Sequence, residues 1–300
     1  MSKVRLLAHL WTLPRWFAAP FAVCGVLLGT ALVDEWSWLT AVAVGSGLGL
    51  LAWAHSMNTL LDWSWTKFDL GSPEARSKPK EYTSGSQVIA RGIMPPSEVF
   101  INALGWLALS GVLAAVVSWQ ASPWVWLPWA LAAACTFWYS WGKLHYMCEL
   151  ALGLGFGSFA VMLGVTAGDS FSLSLFGTAF LAGLPFALAF GFGLETHDQW
   201  TDAERDVPKG LKNLGALLWK SKASPIAFLS WLIVASYIAQ LALVATNILP
   251  ALSLISVFAV VVYSYCFAML EGYNRKAGVG LGLLAATVYE ALVVVGVYLS

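Results

Sequence analysis

The chain has 300 residues, 59% of them hydrophobic and only 11% charged, with no net charge at pH 7. A soluble domain carries about 25% charged residues, so a mean hydropathy of +0.73 marks an all-α, polytopic membrane protein. The zero net charge gives no reason to expect nucleic acid. The four scattered cysteines, Cys24, Cys135, Cys148 and Cys266, show no metal or redox spacing and read as packing residues.

Lys3 and Arg5 precede an apolar run, as in a signal peptide, but the run from Trp16 to Val33 is too long for one and reads as a retained span. An amphipathic segment, Val4 to Leu13, precedes it and suits the membrane interface. Nine candidate spans follow, at about 16–33, 38–61, 97–119, 123–140, 149–168, 171–194, 224–245, 248–270 and 277–299, each near the ~20 residues a bilayer needs. With these spans, all 16 Lys and Arg fall on one side of the membrane, which the positive-inside rule makes cytoplasmic. The loops at 62–96 and 195–223 lie on that side and are long enough to expect lids or binding loops.

Each of those loops opens with an acidic stretch. Asn58, Asp62 and Asp69 fall within about 40° of one another if the second span stays helical through them. Glu195, Asp198, Asp202 and Asp206 form a helical stripe roughly 80° wide at the end of the sixth span. Carboxylates gathered so closely repel unless a cation lies between them. Hard oxygen ligands of this kind suit Mg²⁺, which keeps waters and completes its shell with substrate phosphates. The pattern predicts a diphosphate held between two acidic walls; the competing reading is two solvated helix ends.

Tyr139 and Lys143, four apart, can share a helix face at the end of the fourth span. Lys143 there either pairs with diphosphate oxygens or anchors the helix at the interface. His55 lies one turn before Asn58 and reads as a satisfied polar group or as a contact to a polar acceptor; Arg15 reads as an anchor or a phosphate contact. Glu290, inside the last span, is an intramembrane ionisable group without an assigned role. The 17 Trp, 16 Phe and 9 Tyr are mostly an interfacial belt, although aromatic faces also stabilise allylic cations.

These residues resemble the UbiA superfamily of intramembrane prenyltransferases, over about 12–215. The family's first motif, Asn-x-x-x-Asp with a further Asp, is matched by Asn58, Asp62 and Asp69, the last displaced from the position of Thr66. Asp202-x-x-x-Asp206 followed by Lys209-Gly210 and Lys212 resembles the second motif, and Tyr139-x-x-x-Lys143 its Tyr/Lys motif. Ser84-Gly85-Ser86 through Arg91 to Pro95 is similar to the segment ahead of the third helix, and the run Lys143 to Glu149 with Gly153, Gly155 and Gly157 to the 1,4-dihydroxy-2-naphthoate, quinone-forming branch. The resemblance implies one integral-membrane unit over 1–300, with nine helices bundled around a central cavity and capped on the cytoplasmic side. It implies Mg²⁺-dependent transfer of a prenyl group from a polyprenyl diphosphate to an aromatic or other lipophilic acceptor among membrane lipid. Asn58, Asp62, Asp69, Asp198, Asp202 and Asp206 would hold Mg²⁺; Lys143 and Tyr139, with Arg15 or Arg91, would meet the leaving diphosphate. A cyclase of the same superfamily, acting without a second substrate, is the alternative enzyme. A transporter is the alternative from another class, but the acidic groups lie at span ends rather than at mid-membrane.

Overall fold

The computed structural model describes residues 3–66, 88–168, 172–223, 225–256 and 275–300, and among them all regular structure is helical. A short helix α1 (Lys3–Leu7) runs into a π-helical turn (Ala8–Thr12) and breaks at Arg15, which takes the left-handed conformation (φ 51°). The helix restarts as α2 (Ala19–Val33), with Pro20 in its first turn, where a missing N–H is tolerated. α3 (Trp38–Ser64) opens on a capping box: Ser37 Oγ accepts from the Leu39 N–H at 3.2 Å and Thr40 Oγ1 from the Ser37 N–H at 3.4 Å. Then come α4 (Pro96–Gln120), α5 (Trp126–Gly142), α6 (Cys148–Phe156), α7 (Ser158–Val165) and α8 (Leu173–Ala182). A turn (Leu184–Phe186) and a π-helical stretch (Ala187–Leu194) lead without interruption into α9 (Glu195–Asp206). α10 (Leu214–Ser221), α11 (Pro225–Ala245) and α12 (Arg275–Tyr298) complete the described chain.

Among the described residues, five helical stretches are long and apolar enough to cross a membrane: Lys3–Val33, Trp38–Ser64, Pro96–Gln120, Cys148–Val165 and Leu173–Trp200. They fall at the first, second, third, fifth and sixth expected spans, and α5, α11 and α12 fall at the fourth, seventh and ninth. The expected eighth, 248–270, begins with a 3₁₀ turn (Ala251–Ser256) and beyond it lies outside the described residues. The amphipathic segment before the first span is helical. It exposes Val4, Leu7, Leu10 and Trp11 and buries Ala8 and Leu13 against Val88, Met94 and Val99. Arg5 Nη1 ties it to Glu98 Oε1 at 3.3 Å.

The helices around the site pack through glycine. A Cβ at Gly29 of α2 would stand 2.0 Å from Val161 O of α7, and one at Gly164 2.0 Å from Val26 O. A Cβ at Gly153 would stand 2.6 Å from Ala187 O, so α6 and the π-helical stretch touch backbone to backbone. Membrane helices associate through such close packing because lipid is as apolar as the helix face it replaces.

Candidate active site

α2, α3, α5, α6, α7 and the stretch leading into α9 surround about 1170 Å³ of empty space, counted out to its open mouth. On α3 the lining residues are Gly47, Leu50, Leu51, Ala54, His55 and Asn58, the spacing of one helix face. At 1.5 Å of rise per residue that face runs about 16 Å from Gly47 to Asn58. The far end is apolar, with Ala22, Phe159, Ala160 and Leu163; the near end holds Arg15, His55, Asn58, Tyr139, Glu195 and Asp198. The cavity is a greasy slot with a polar head.

At the head, α3 and α5 meet through Asn58, Asp62, Ser140 and Lys143. Asn58 Nδ2 donates to Asp62 Oδ2 at 3.0 Å. Lys143 Nζ donates to both Asp62 oxygens, at 2.9 and 2.8 Å, and to Asn58 Oδ1 at 3.3 Å. Ser140 Oγ donates to Asn58 Oδ1 at 3.2 Å. The ion pair is buried, with side-chain exposures of 10% for Lys143 and 6% for Asp62. Burial alone would lower the Lys143 pKa, but the Asp62 carboxylate outweighs it and holds the ammonium above its ordinary value. Lys143 Nζ also stands 4.7 Å from the centre of the Tyr139 ring, within cation–π range.

The second wall is α9. Tyr139 donates its hydroxyl hydrogen to Glu195 Oε1, and Gln199 Nε2 donates to the same oxygen at 2.8 Å. Asp198 lines the cavity beside Glu195. The turn after α9 is strapped to the loop after α5: the Lys212 N–H donates to Lys143 O and the Tyr146 N–H to Lys212 O, both at 2.7 Å. Glu149 Oε1 accepts the Leu214 N–H at 2.6 Å. The segment following the second acidic stretch therefore fixes the backbone that carries Lys143.

Of the residues expected from sequence, Arg15, Asn58, Tyr139 and Asp198 line the head of the cavity and His55 lines it one turn deeper on α3, while Asp62 and Lys143 meet at Asn58 without lining it. Asp206 is buried at the far end of α9, 3.5 Å from Lys209 Nζ, and does not line the cavity. Asp202 lies on α9, but its side chain is outside the described residues. Arg91 is exposed in the turn ahead of α4, away from the cavity lining. The expected helix through Asp69 is corrected: α3 ends at Ser64, because Trp65 and Thr66 both donate their N–H to Leu61 O. Asp69 lies outside the described residues, and Thr66 caps the site instead, its Oγ1 donating to Asp62 Oδ1 at 3.0 Å. Among the described residues, no group of three or more His, Cys, Asp and Glu side chains converges as a metal cage.

Sequence reasoning placed Glu195 in the acidic stripe but not as the partner of Tyr139, and it missed Ser140, Thr66 and Thr136. Thr136, one turn before Ser140, also lines the cavity, and its signal was that 3.6-residue spacing. Three buried polar atoms in the lining have no hydrogen-bond partner: Arg15 Nη2, His55 Nε2 and Thr136 Oγ1. Glu290 is fully buried and does not line the cavity.

No protein-family model matches the chain, and no curated protein does. Solved structures match it over nearly its whole length. A UbiA homologue from Aeropyrum pernix K1, in its apo form, superposes with a TM-score of 0.70 at 21% identity, over 94% of this chain and 97% of its own. A digeranylgeranylglyceryl phosphate synthase superposes with a TM-score of 0.62 at 16% identity, over 99% of each chain. A UbiA homologue from Archaeoglobus fulgidus bound to GPP and Mg²⁺ superposes with a TM-score of 0.60 at 16% identity, over 97% of this chain and 99% of its own. The chain thus has the fold of the UbiA homologues from end to end.

Proposed function

We propose that this protein is an intramembrane prenyltransferase, one unit over 1–300, that moves the prenyl group of a polyprenyl diphosphate onto an aromatic, quinone-precursor-like acceptor. The observation that carries this reading is the slot itself: an apolar channel whose head is lined by Arg15, Asn58, Glu195 and Asp198, with the buried Lys143–Asp62 pair bonded to Asn58 behind it. The A. fulgidus homologue of the same fold binds GPP and Mg²⁺.

The donors at the head fit Mg²⁺ by chemistry, because Asn58, Asp62 and Asp198 carry the side-chain oxygens that it takes, and Asp62 would bind it in exchange for its bonds from Lys143. Asp202 and Asp206 on α9, and Asp69, complete the proposed set. Bound Mg²⁺ would supply Lewis-acid stabilisation of the departing diphosphate. The rest falls to the side chains. Lys143, hydrogen-bonded to the lining residue Asn58, and Arg15 in the lining stabilise the negative charge that grows as the allylic C–O bond breaks and the electron pair leaves with diphosphate. The Tyr139 ring offers its face to the allylic cation. The apolar slot holds the tail and excludes the water that would quench the cation. The acceptor's electron pair forms the new bond to the allylic carbon, and the acceptor gives up a proton.

The test is purified protein in detergent with a panel of prenyl diphosphates, Mg²⁺, and naphthoate or phenolic acceptors present or absent. Diphosphate release that needs both Mg²⁺ and an acceptor is expected. A cyclic hydrocarbon formed without acceptor would replace the reading with a cyclase, and no release under any condition would remove it.

The one-sided basic residues support a cytoplasmic head in the cell membrane. A cysteine placed at Ser221, the exposed last residue of α10, should react with an impermeant thiol reagent in inside-out vesicles only. Labelling in intact cells would reverse the orientation.

A further inference from the structure

We propose that His55 and Thr136 form a subsite for the hydroxyl group of the acceptor, one helical turn deeper than the diphosphate head. The identity of the ligand as acceptor rests on the prenyl-transfer reading; the preference for a hydroxyl does not. α3 and α5 both end at the head, where Ser140 Oγ meets Asn58 Oδ1 at 3.2 Å. Stepping back one turn on each helix reaches His55 and Thr136 at a common depth, about 5 Å further into the slot. Both residues line the cavity, and both His55 Nε2 and Thr136 Oγ1 are buried without a hydrogen-bond partner.

Buried polar atoms are satisfied in the great majority of cases. Two orphans at one level of one cavity therefore point to a ligand group that satisfies both. With its proton on Nδ1, the imidazole accepts at Nε2, and with a threonine hydroxyl that donates it matches a hydroxyl, which gives one hydrogen and takes another. In that tautomer a carbonyl or ether could use only the threonine side of the pair. The surroundings are flat and apolar: Phe17 and Phe156 lie 6.2 and 6.3 Å from the imidazole centre, and Phe190 meets Phe156 edge to face at 5.1 Å. The subsite thus suits a planar ring carrying a hydroxyl.

The probes are 1-naphthol and naphthalene, which share a ring system and differ by that hydroxyl. Their binding to the full-length protein in detergent, without Mg²⁺ or prenyl diphosphate, is read from tryptophan fluorescence against micelles alone. Wild type should bind 1-naphthol about tenfold more tightly than naphthalene, the equivalent of one net hydrogen bond of ordinary strength. Thr136→Val, nearly isosteric, should shrink that ratio, and Thr136→Val with His55→Phe should bring it to one while naphthalene still binds. If the His55 variant does not fold, Thr136→Val decides alone. A ratio of one in wild type, or a ratio unchanged in Thr136→Val, overturns the subsite. A tenfold ratio without any Mg²⁺-dependent diphosphate release would sink the transfer reading and leave the subsite standing. Release with a ratio of one would do the reverse.

Discussion

Two levels of the same cavity are built on opposite terms. At the head, every polar atom of Asp62 has a protein partner: Lys143 reaches both oxygens, Asn58 one and Thr66 the other. One turn deeper, His55 Nε2 and Thr136 Oγ1 have none. The saturated level holds a charge pair that the protein can bury only by pairing it. The open level holds neutral groups, whose isolation costs far less than that of a charge. On the proposed reading, the Lys143–Asp62 pair is preorganised by the fold, while Arg15 Nη2, His55 Nε2 and Thr136 Oγ1 are left for ligands.

The largest expected effect comes from opening the head. Removing one member of a buried ion pair strands the other and typically costs about 3–5 kcal/mol. Lys143→Met should therefore lower thermal stability and, by deleting charge at the leaving group, reduce kcat by about 10²–10³-fold. Asp62→Asn keeps a side chain of the same shape and should also destabilise, now by stranding the lysine. The double variant should recover stability beyond either single variant while diphosphate release stays lost. Thermal unfolding in detergent and release assays on the four proteins check this. A double variant as unstable as the worse single one would mean that the two charges are not coupled. Because the Asp62 carboxylate holds Lys143 above its usual pKa, the pair's contribution on the lysine side is complete below the ordinary lysine value. It is lost only as pH rises through the raised one.

The contents of each helix face were legible in the sequence, because 3.6-residue spacing suffices to align Asn58 with Asp62, Tyr139 with Lys143, and Glu195 with Asp198. The partners across helices were not. Lys143 read as a diphosphate ligand and Asp62 as a metal ligand, and their direct pairing follows from α3 and α5 ending side by side, which no local pattern encodes. The end of α3 was not legible for a similar reason: it is set at Ser64, where two N–H groups share Leu61 O, and Asp69 lies outside the described residues. Hydropathy gave the fifth span at 149–168, where Cys148–Val165 is long and apolar enough to cross, but not the irregular backbone at Gly157 between α6 and α7. Nor does an apolar run such as Ala187 to Leu194 announce a π-helix, although π-turns favour functional sites and this one delivers Phe190, Leu194 and Glu195 to the cavity.

A smaller effect separates the two roles of Tyr139. Its hydroxyl donates to Glu195 of α9, and its ring lies under the Lys143 ammonium and along the cavity. Tyr139→Phe removes only the hydroxyl, and Glu195 Oε1 keeps its bond from Gln199 at 2.8 Å. A hydrogen bond to a charged group contributes about 1.5–3 kcal/mol, and the retained Gln199 bond offsets part of its loss, so kcat/KM for diphosphate release should fall by about tenfold. Tyr139→Leu removes the π face as well. A cation–π contact is worth about 0.5–2 kcal/mol, so this variant should lose up to a further tenfold or so, concentrated in kcat because the allylic cation exists only along the reaction path. Equal rates for Phe and Leu would show that the ring face contributes nothing and that Tyr139 serves only to hold Glu195 in place.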